Sequence, residues 1–156
     1  MNFDTEIFSQ FHKKWALVSA GSLEDHNAMT VSWGEMGTLW SIPVITVYVK
    51  PCRYTYEFME KNDYFTVSFY DEEYRDALNI MGTLSGKDTD KEKQANLTPV
   101  QVGESVSFKE AKKTFLCKKI YYQDLDVGRI PDNIVQRHYT VEKPHRMYVG
   151  EVIDVI

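Results

Sequence analysis

Met29-Thr30-Val31-Ser32-Trp33 alternates apolar and hydroxyl side chains, the period-two pattern of a strand with one buried face. Phe65-Thr66-Val67-Ser68-Phe69 repeats the pattern. Between the two, residues 43–50 run almost continuously through Val, Ile and Tyr, which predicts a strand covered on both faces. Residues 15–20 read as an earlier strand closed by Gly21-Ser22, and residues 115–122 and 147–156 as late ones. Gly150 in the last marks either a bulge or a strand buried on both sides. Short helices interrupt the series. Phe3, Ile7, Phe8 and Phe11 place one at 4–13, and Pro51 stops a strand before another at 53–61. Asp71 is a candidate N-cap for a helix that buries Tyr74, Ala77, Leu78 and Met81 and ends at Gly82. Thr89 with Glu92 forms a candidate capping box for a further short helix before Pro99. Strand and helix do not alternate as a doubly wound parallel sheet requires. The expected fold class is mainly β, a closed or nearly closed antiparallel barrel decorated with short helices.

Composition narrows the functional classes. With 156 residues the chain reads as one domain, 1–156, and 43% apolar residues are enough for a core. Ten Tyr, eight Phe and three Trp favour sheet and a flat ligand ring. Eighteen basic against 23 acidic residues give a net charge of −5, and no basic tract offers a nucleic-acid footprint. Cys52 and Cys117 stand alone, without C-x-x-C or a Cys/His cluster, so no metal site is expected. The acidic N-terminus has no signal-like apolar region. The longest apolar-rich run, 42–49, falls far short of the ~20 residues of a membrane span. A soluble, reduced, cytoplasmic protein is expected.

Few residues carry chemistry. No G-x-S-x-G elbow, Walker loop, H-E-x-x-H or G-x-G-x-x-G occurs. The Arg53-Tyr54-Thr55 turn lies between a strand end and a helix start, where free N–H groups and the helix dipole favour an anion. Arg53 adds a bidentate donor and Thr55 a hydroxyl; the alternative is an ordinary turn with a solvated Arg. Ser85-Gly86 suits close backbone approach to a phosphate, or is simply a turn. Lys87 and Lys91 lie near enough in sequence to add charge, although Lys91 reads more readily as a solvated helix residue than as a ligand. Met29, Val31 and Trp33 would share one strand face and Thr30 and Ser32 the other. Trp33 and Trp40 are candidates either for the wall of a ring site or for core. His145 precedes the last strand, and His12, His26 and His138 have no partner pattern.

Several segments carry a family likeness. Asn27-Ala28-Met29-Thr30-Val31-Ser32-Trp33 resembles the N-x-M-T-x-S-W segment of the flavin reductase-like family. Pro43 opening a Val/Ile strand, then Lys50-Pro51-Cys52-Arg53-Tyr54-Thr55, resembles its next strand and R-x-T turn. Phe65-Thr66-Val67-Ser68 and Thr83-Leu84-Ser85-Gly86 resemble its following strand and its S-G loop. Glu110-Ala111-Lys112 with Cys117, and His145 with Gly150-Glu151-Val152, resemble its C-terminal half. The likeness runs from about Trp15 to the C-terminus.

This resemblance implies a homodimeric split β-barrel with FMN, or less often FAD, near the subunit interface. It also implies hydride transfer from NADH or NADPH to the flavin. It assigns flavin contacts to Thr30, Val31, Ser32, Trp33, Lys50, Arg53, Tyr54, Thr55, Ser85 and Gly86, and a nicotinamide role to His145. Catalysis asks little more of the protein, because the flavin itself accepts the hydride. One departure matters: Lys143-Pro144-His145 stands where many relatives have Gly-Asp-His. It leaves open an FMN-binding electron-transfer protein that does not use NAD(P)H. A barrel with an empty or repurposed pocket, related to pyridoxamine phosphate oxidase-like domains, is the third alternative.

Overall fold

A computed structural model describes residues 5–156, so the Asp4 start of the expected N-terminal helix, and Phe3, lie outside the described residues. Within them the segment is a 3-10 turn, Thr5–Phe8, followed by α1, Ser9–His12. Nine strands follow: β1 Ala16–Gly21, β2 His26–Val31, β3 Gly34–Leu39, β4 Ile42–Val49, β5 Tyr64–Phe69, β6 Pro99–Val102, β7 Ser105–Phe108, β8 Lys113–Asp124 and β9 Arg146–Val155. Seven form one antiparallel sheet in the order β2-β1-β5-β8-β9-β4-β3, and β6 pairs with β7 apart from it.

The two ends of that sheet, β2 and β3, are joined by Ser32 and Trp33 alone. Laid flat, seven strands at ~4.8 Å spacing would hold the edges about 29 Å apart. Three Cα steps of ~3.8 Å reach about 11 Å at most. The sheet must therefore curl until its edges approach, and the result is a split β-barrel.

Alternation along β1 shows how the barrel is filled. Ala16, Val18 and Ala20 face inward with Val31, Ile45, Val47, Phe65, Val67 and Tyr148. Leu17 faces outward and is buried with Ala28, Leu78, Met81, Leu97 and Phe108 under α3, Arg75–Thr83, and its neighbours. Both faces of β1 are thus covered, which is why all six of its residues are buried. β4 buries Ile45, Val47 and Val49 inside the barrel and Val44 and Thr46 on its other face, whereas Ile42, Pro43 and Tyr48 are not buried, so the expected cover on both faces holds in the middle of the strand. Pro43 pairs only with Thr38 of β3, so its missing N–H breaks no second ladder.

Gly150 turns out to be a point of close approach. A Cβ there would lie 2.5 Å from Phe65 Cζ and 2.7 Å from the Cys117 Cβ, while the register of β8 on β9 slips nearby, between Lys119 and Tyr121.

The helices differ from expectation in their caps. Asp71 stands at the N-cap position of a 3-10 turn, Glu72–Tyr74, that leads into α3, but its side chain does no capping and its carboxylate binds Lys112 Nζ at 2.5 Å instead. α3 runs one residue past Gly82, whose missing side chain lets Thr30 approach from β2. In α4, Lys91–Gln94, the cap is Asp90, which accepts from Lys93 N at 3.1 Å; Glu92 is drawn away to His26. The sequence pattern gave no sign of β3, the β6–β7 hairpin or α5, Asp132–His138. No helix among the described residues is long and apolar enough to cross a membrane. No group of His, Cys, Asp and Glu among them suits a metal ion.

Candidate functional site

Two clefts meet at Cys52 and Arg53. The larger, about 400 Å³, runs along Met29, Thr30, Val31, Ser32 and Trp33 and is bounded by Tyr48, Lys50, Glu142 and His145. The smaller, about 260 Å³, lies between Tyr54-Thr55 and Thr83-Leu84-Ser85, with Asn27 and Lys91 behind it. Nine of the ten residues expected at a flavin therefore line one or other cleft. Gly86 is the exception: it packs against Asn27, where a Cβ would overlap the amide oxygen, and it lines a neighbouring cleft instead.

β2 is suited to border a flat ligand because it ends the sheet. Among the described residues its one ladder partner is β1, so its other edge presents backbone N–H and C=O groups with no described strand to receive them. Thr30 and Ser32 do not behave alike. The Thr30 hydroxyl donates to the carbonyl oxygen of Leu78, anchoring β2 on α3, so what Thr30 offers the cleft is backbone. Trp33 is 41% exposed, not core, and its indole is flanked by His138 and His145 at 5.1 and 5.0 Å between ring centroids. Trp40, 63% exposed, lies on the far outer face of the barrel and walls neither cleft.

The smaller cleft is electropositive for a structural reason. α2, Tyr54–Lys61, begins after Arg53 with no side chain capping its first turn. Arg53 Nη2 donates to Gly82 O at 2.9 Å. Lys91, expected to be solvated, is 3% exposed and donates from Nζ to Met81 O at 2.9 Å and Leu84 O at 3.2 Å. Both cations thus hold carbonyls at the end of α3. Neither makes an ion pair among the described residues. The carboxylates nearest to hand are engaged elsewhere, Glu142 by Lys50 and Glu92 by His26. Burial, then the charge of Arg53, pulls the Lys91 ammonium down to about 8. Two cations that reach only neutral carbonyls among the described residues, Lys91 buried and Arg53 half-buried, form a site that an anion would complete. The Thr55 hydroxyl is buried there and accepts from Asn27 Nδ2 at 2.8 Å, leaving its own proton free to donate. Lys87 contributes little: it is exposed, 3.5 Å from Glu57.

His145 sits at the other end, sharing a 2.8 Å hydrogen bond between Nδ1 and the Tyr139 hydroxyl. Burial, then the neighbouring Lys50 charge, pushes it down to about 4, so the imidazole is neutral at pH 7. His26 is the reverse. Its Nδ1 faces Ser22 O at 2.8 Å and its Nε2 the Glu92 carboxylate at 2.9 Å, acceptors on both sides, so its pKa is raised, first by the Glu92 bond.

An antiparallel barrel whose edge strand borders one cleft, with two cations at the next that make no ion pair among the described residues, defines a split-barrel protein suited to a flat ligand carrying an anion. The profile of the flavin reductase like domain family matches residues 8–156, and the chain belongs to that family. Among solved structures, flavoredoxin from Methanosarcina acetivorans is similar at 18% identity and a TM-score of 0.74, over 100% of this chain and 74% of that one. An FMN-binding protein from Thermus thermophilus with bound p-hydroxybenzaldehyde matches at 19% identity and 0.73, over 94% and 74%. A protein with a split barrel domain from Shewanella frigidimarina NCIMB 400 matches at 15% and 0.71, over 99% and 74%. Comparison with curated protein sequences returns no match.

Asn27 is the site residue that sequence reasoning left out, and Lys91, named as a source of charge, was expected to be solvated rather than buried. A lysine one residue beyond a helix cap looks solvated. Only the packing of α4 against the end of α3 buries it, and no local pattern announces that contact.

Proposed function

We propose that this chain binds FMN and, as an oxidoreductase of the flavin reductase type, passes a hydride from NADH or NADPH to the flavin. The observation that carries the reading is the pair of cations, buried Lys91 and half-buried Arg53, with no ion-pair partner among the described residues, at the head of a cleft that continues along the free edge of β2. In this reading Arg53, Lys91, the Thr55 hydroxyl, Ser85 and the first turn of α2 hold the phosphate. The backbone of Thr30 to Trp33 holds the ring edge, with Tyr54 and Lys50 alongside. Bound there, the flavin supplies the hydride acceptor. The likeness to an FMN-binding protein from T. thermophilus supports the cofactor, as does family membership. FAD is the other flavin to test.

His145 acts by orientation. A neutral imidazole tied to Tyr139 is a fixed hydrogen-bonding group for an amide, and an ineffective acid at pH 7. The test is anaerobic stopped-flow mixing of the flavin-loaded protein with NADH and with NADPH, expecting bleaching of the flavin with at least one. Flavin that stays oxidised with both would refute hydride transfer. A second reading, electron transfer without pyridine nucleotide, draws on the Glu142–Lys50 pair, which ties the segment before His145 across the larger cleft. The similarity to a flavoredoxin agrees with it. Reduction by dithionite alone would favour it.

We also propose a homodimer. The outer face of β3, β4, β8 and β9 carries an apolar groove of about 480 Å³ with Met36, Leu39, Trp40, Val44, Tyr121 and Met147, a surface that a second copy would cover.

A further inference from the structure

Between β8 and β9 the chain makes an excursion, closed by a hydrogen bond from Leu125 N to His145 O at 3.0 Å. No residue from Tyr121 to Met147 is buried, so no core contact explains where α5 lies. Polar and aromatic contacts hold the segment instead. Glu142 pairs with Lys50, and His138 packs edge-to-face on Trp33. Tyr139, which ends α5 by donating its N–H to Val135 O at 2.8 Å, brings its hydroxyl to His145 Nδ1, also at 2.8 Å.

That last bond has a direction. Burial raises the Tyr139 hydroxyl above its ordinary pKa, so at pH 7 it keeps its proton. The backbone N–H of His145 is directed at the same oxygen. Were Nδ1 to donate as well, the hydroxyl proton would have no acceptor among the described residues. The tyrosine therefore donates to Nδ1, and the single proton of the neutral imidazole sits on Nε2. The imidazole lines the larger cleft, flanked by Trp33 and Tyr139 at 5.0 and 5.7 Å between ring centroids. Its Nε2 makes no hydrogen bond among the described residues.

We infer that Tyr139 is a positioning residue that holds His145 as the Nε2–H tautomer, so that the larger cleft offers a fixed hydrogen-bond donor matched to a carbonyl oxygen. The inference rests on the hydride-transfer reading above and deepens it, because the acceptor it implies is the carboxamide oxygen of the nicotinamide. A carboxamide carries an oxygen and an NH2 with opposite needs. Turned the wrong way, it would set its own donor against the imidazole N–H. A tautomer fixed beforehand also leaves less to order when the nucleotide arrives.

Tyr139→Phe keeps the ring against His145 and removes only the hydroxyl. Imidazole ¹⁵N NMR of the full chain without ligand reads the tautomer, with His145→Ala identifying the signal. His145 should be protonated on Nε2 alone in the parent and should become a mixture in Tyr139→Phe. Glu142→Gln frees another tie of the same segment and should leave the tautomer unchanged. An Nδ1–H tautomer in the parent, no change in Tyr139→Phe, or an equal change in Glu142→Gln would overturn the inference. In stopped-flow reduction of the flavin-loaded protein, Tyr139→Phe should slow the second-order reaction with the active nucleotide about threefold to tenfold, the worth of one neutral hydrogen bond. The reduced acetylpyridine analogue of that nucleotide keeps the carbonyl oxygen and lacks the NH2, so it should lose the same factor. A loss confined to the carboxamide nucleotide, or one equally large in a His145→Ala background, would overturn the inference. If neither NADH nor NADPH reduces the flavin, the hydride-transfer reading fails and the nicotinamide acceptor with it, while the NMR still decides what Tyr139 does to His145.

Discussion

Replacing Arg53 by Ala separates the two jobs that its guanidinium performs. One is internal: Nη2 holds Gly82 O at 2.9 Å and secures the end of α3. A neutral acceptor of this kind is worth about 1 kcal/mol, and its loss weakens the protein equally with any flavin bound. The other is toward the cleft, where the remaining N–H groups face the proposed phosphate. A charge-assisted hydrogen bond contributes roughly 1.5–3 kcal/mol, so FMN affinity should fall about tenfold to a hundredfold. Riboflavin, which has no phosphate, should bind the variant almost as it binds the parent. Titration of both flavins against both proteins, with thermal melts to confirm folding, measures the difference. An equal loss for FMN and riboflavin would refute the assignment of Arg53 to phosphate, since the damage would then be to the cleft as a whole.

Three other outcomes follow from the same geometry. Isothermal titration of FMN at pH 8, in buffers of different ionisation heat, should reveal uptake of up to about half a proton, because Lys91 titrates near 8 without a ligand and an adjacent phosphate raises it. Heats independent of buffer would contradict this. Gly150→Ala should lower stability by about 1–3 kcal/mol through overpacking against Phe65 and Cys117, seen as a lower Tm; an unchanged Tm would mean that β8 and β9 have room to shift. The His26–Glu92 pair should make stability fall as pH rises. With its folded pKa raised above 6.5, His26 contributes fully below about pH 6.5, and that contribution is lost as pH climbs through the raised value. Melts of the parent and Glu92→Gln should therefore differ at pH 6 and converge at alkaline pH, whereas curves that stay parallel would rule the linkage out.

How far the residues alone revealed the molecule depended on whether a signal was local. Alternation in Met29 to Val31 and Phe65 to Phe69 located β2 and β5, because a half-buried strand shows its period directly. The segment Gly34-Glu35-Met36-Gly37-Thr38-Leu39 does not alternate cleanly, and it forms β3 through its pairing with β4. Closure of the barrel was written in the two-residue link Ser32-Trp33, but its meaning appears only once β2 and β3 are known to be opposite ends of the sheet. At the site, Arg53, Thr55 and Ser85 were legible because turns advertise themselves. The burial of Lys91, the Thr30 hydroxyl turned back onto Leu78, and the exposure of Trp33 depend on contacts between distant segments. His26 looked partnerless because Glu92 lies 66 residues away.

The most direct measurement is the visible spectrum of the purified protein before and after incubation with excess FMN and removal of free flavin. A bound phosphoflavin at Arg53 and Lys91 requires flavin absorbance that travels with the protein, at about one FMN per chain. Protein that emerges colourless from the second desalting would contradict the claim that these two cations hold a flavin phosphate.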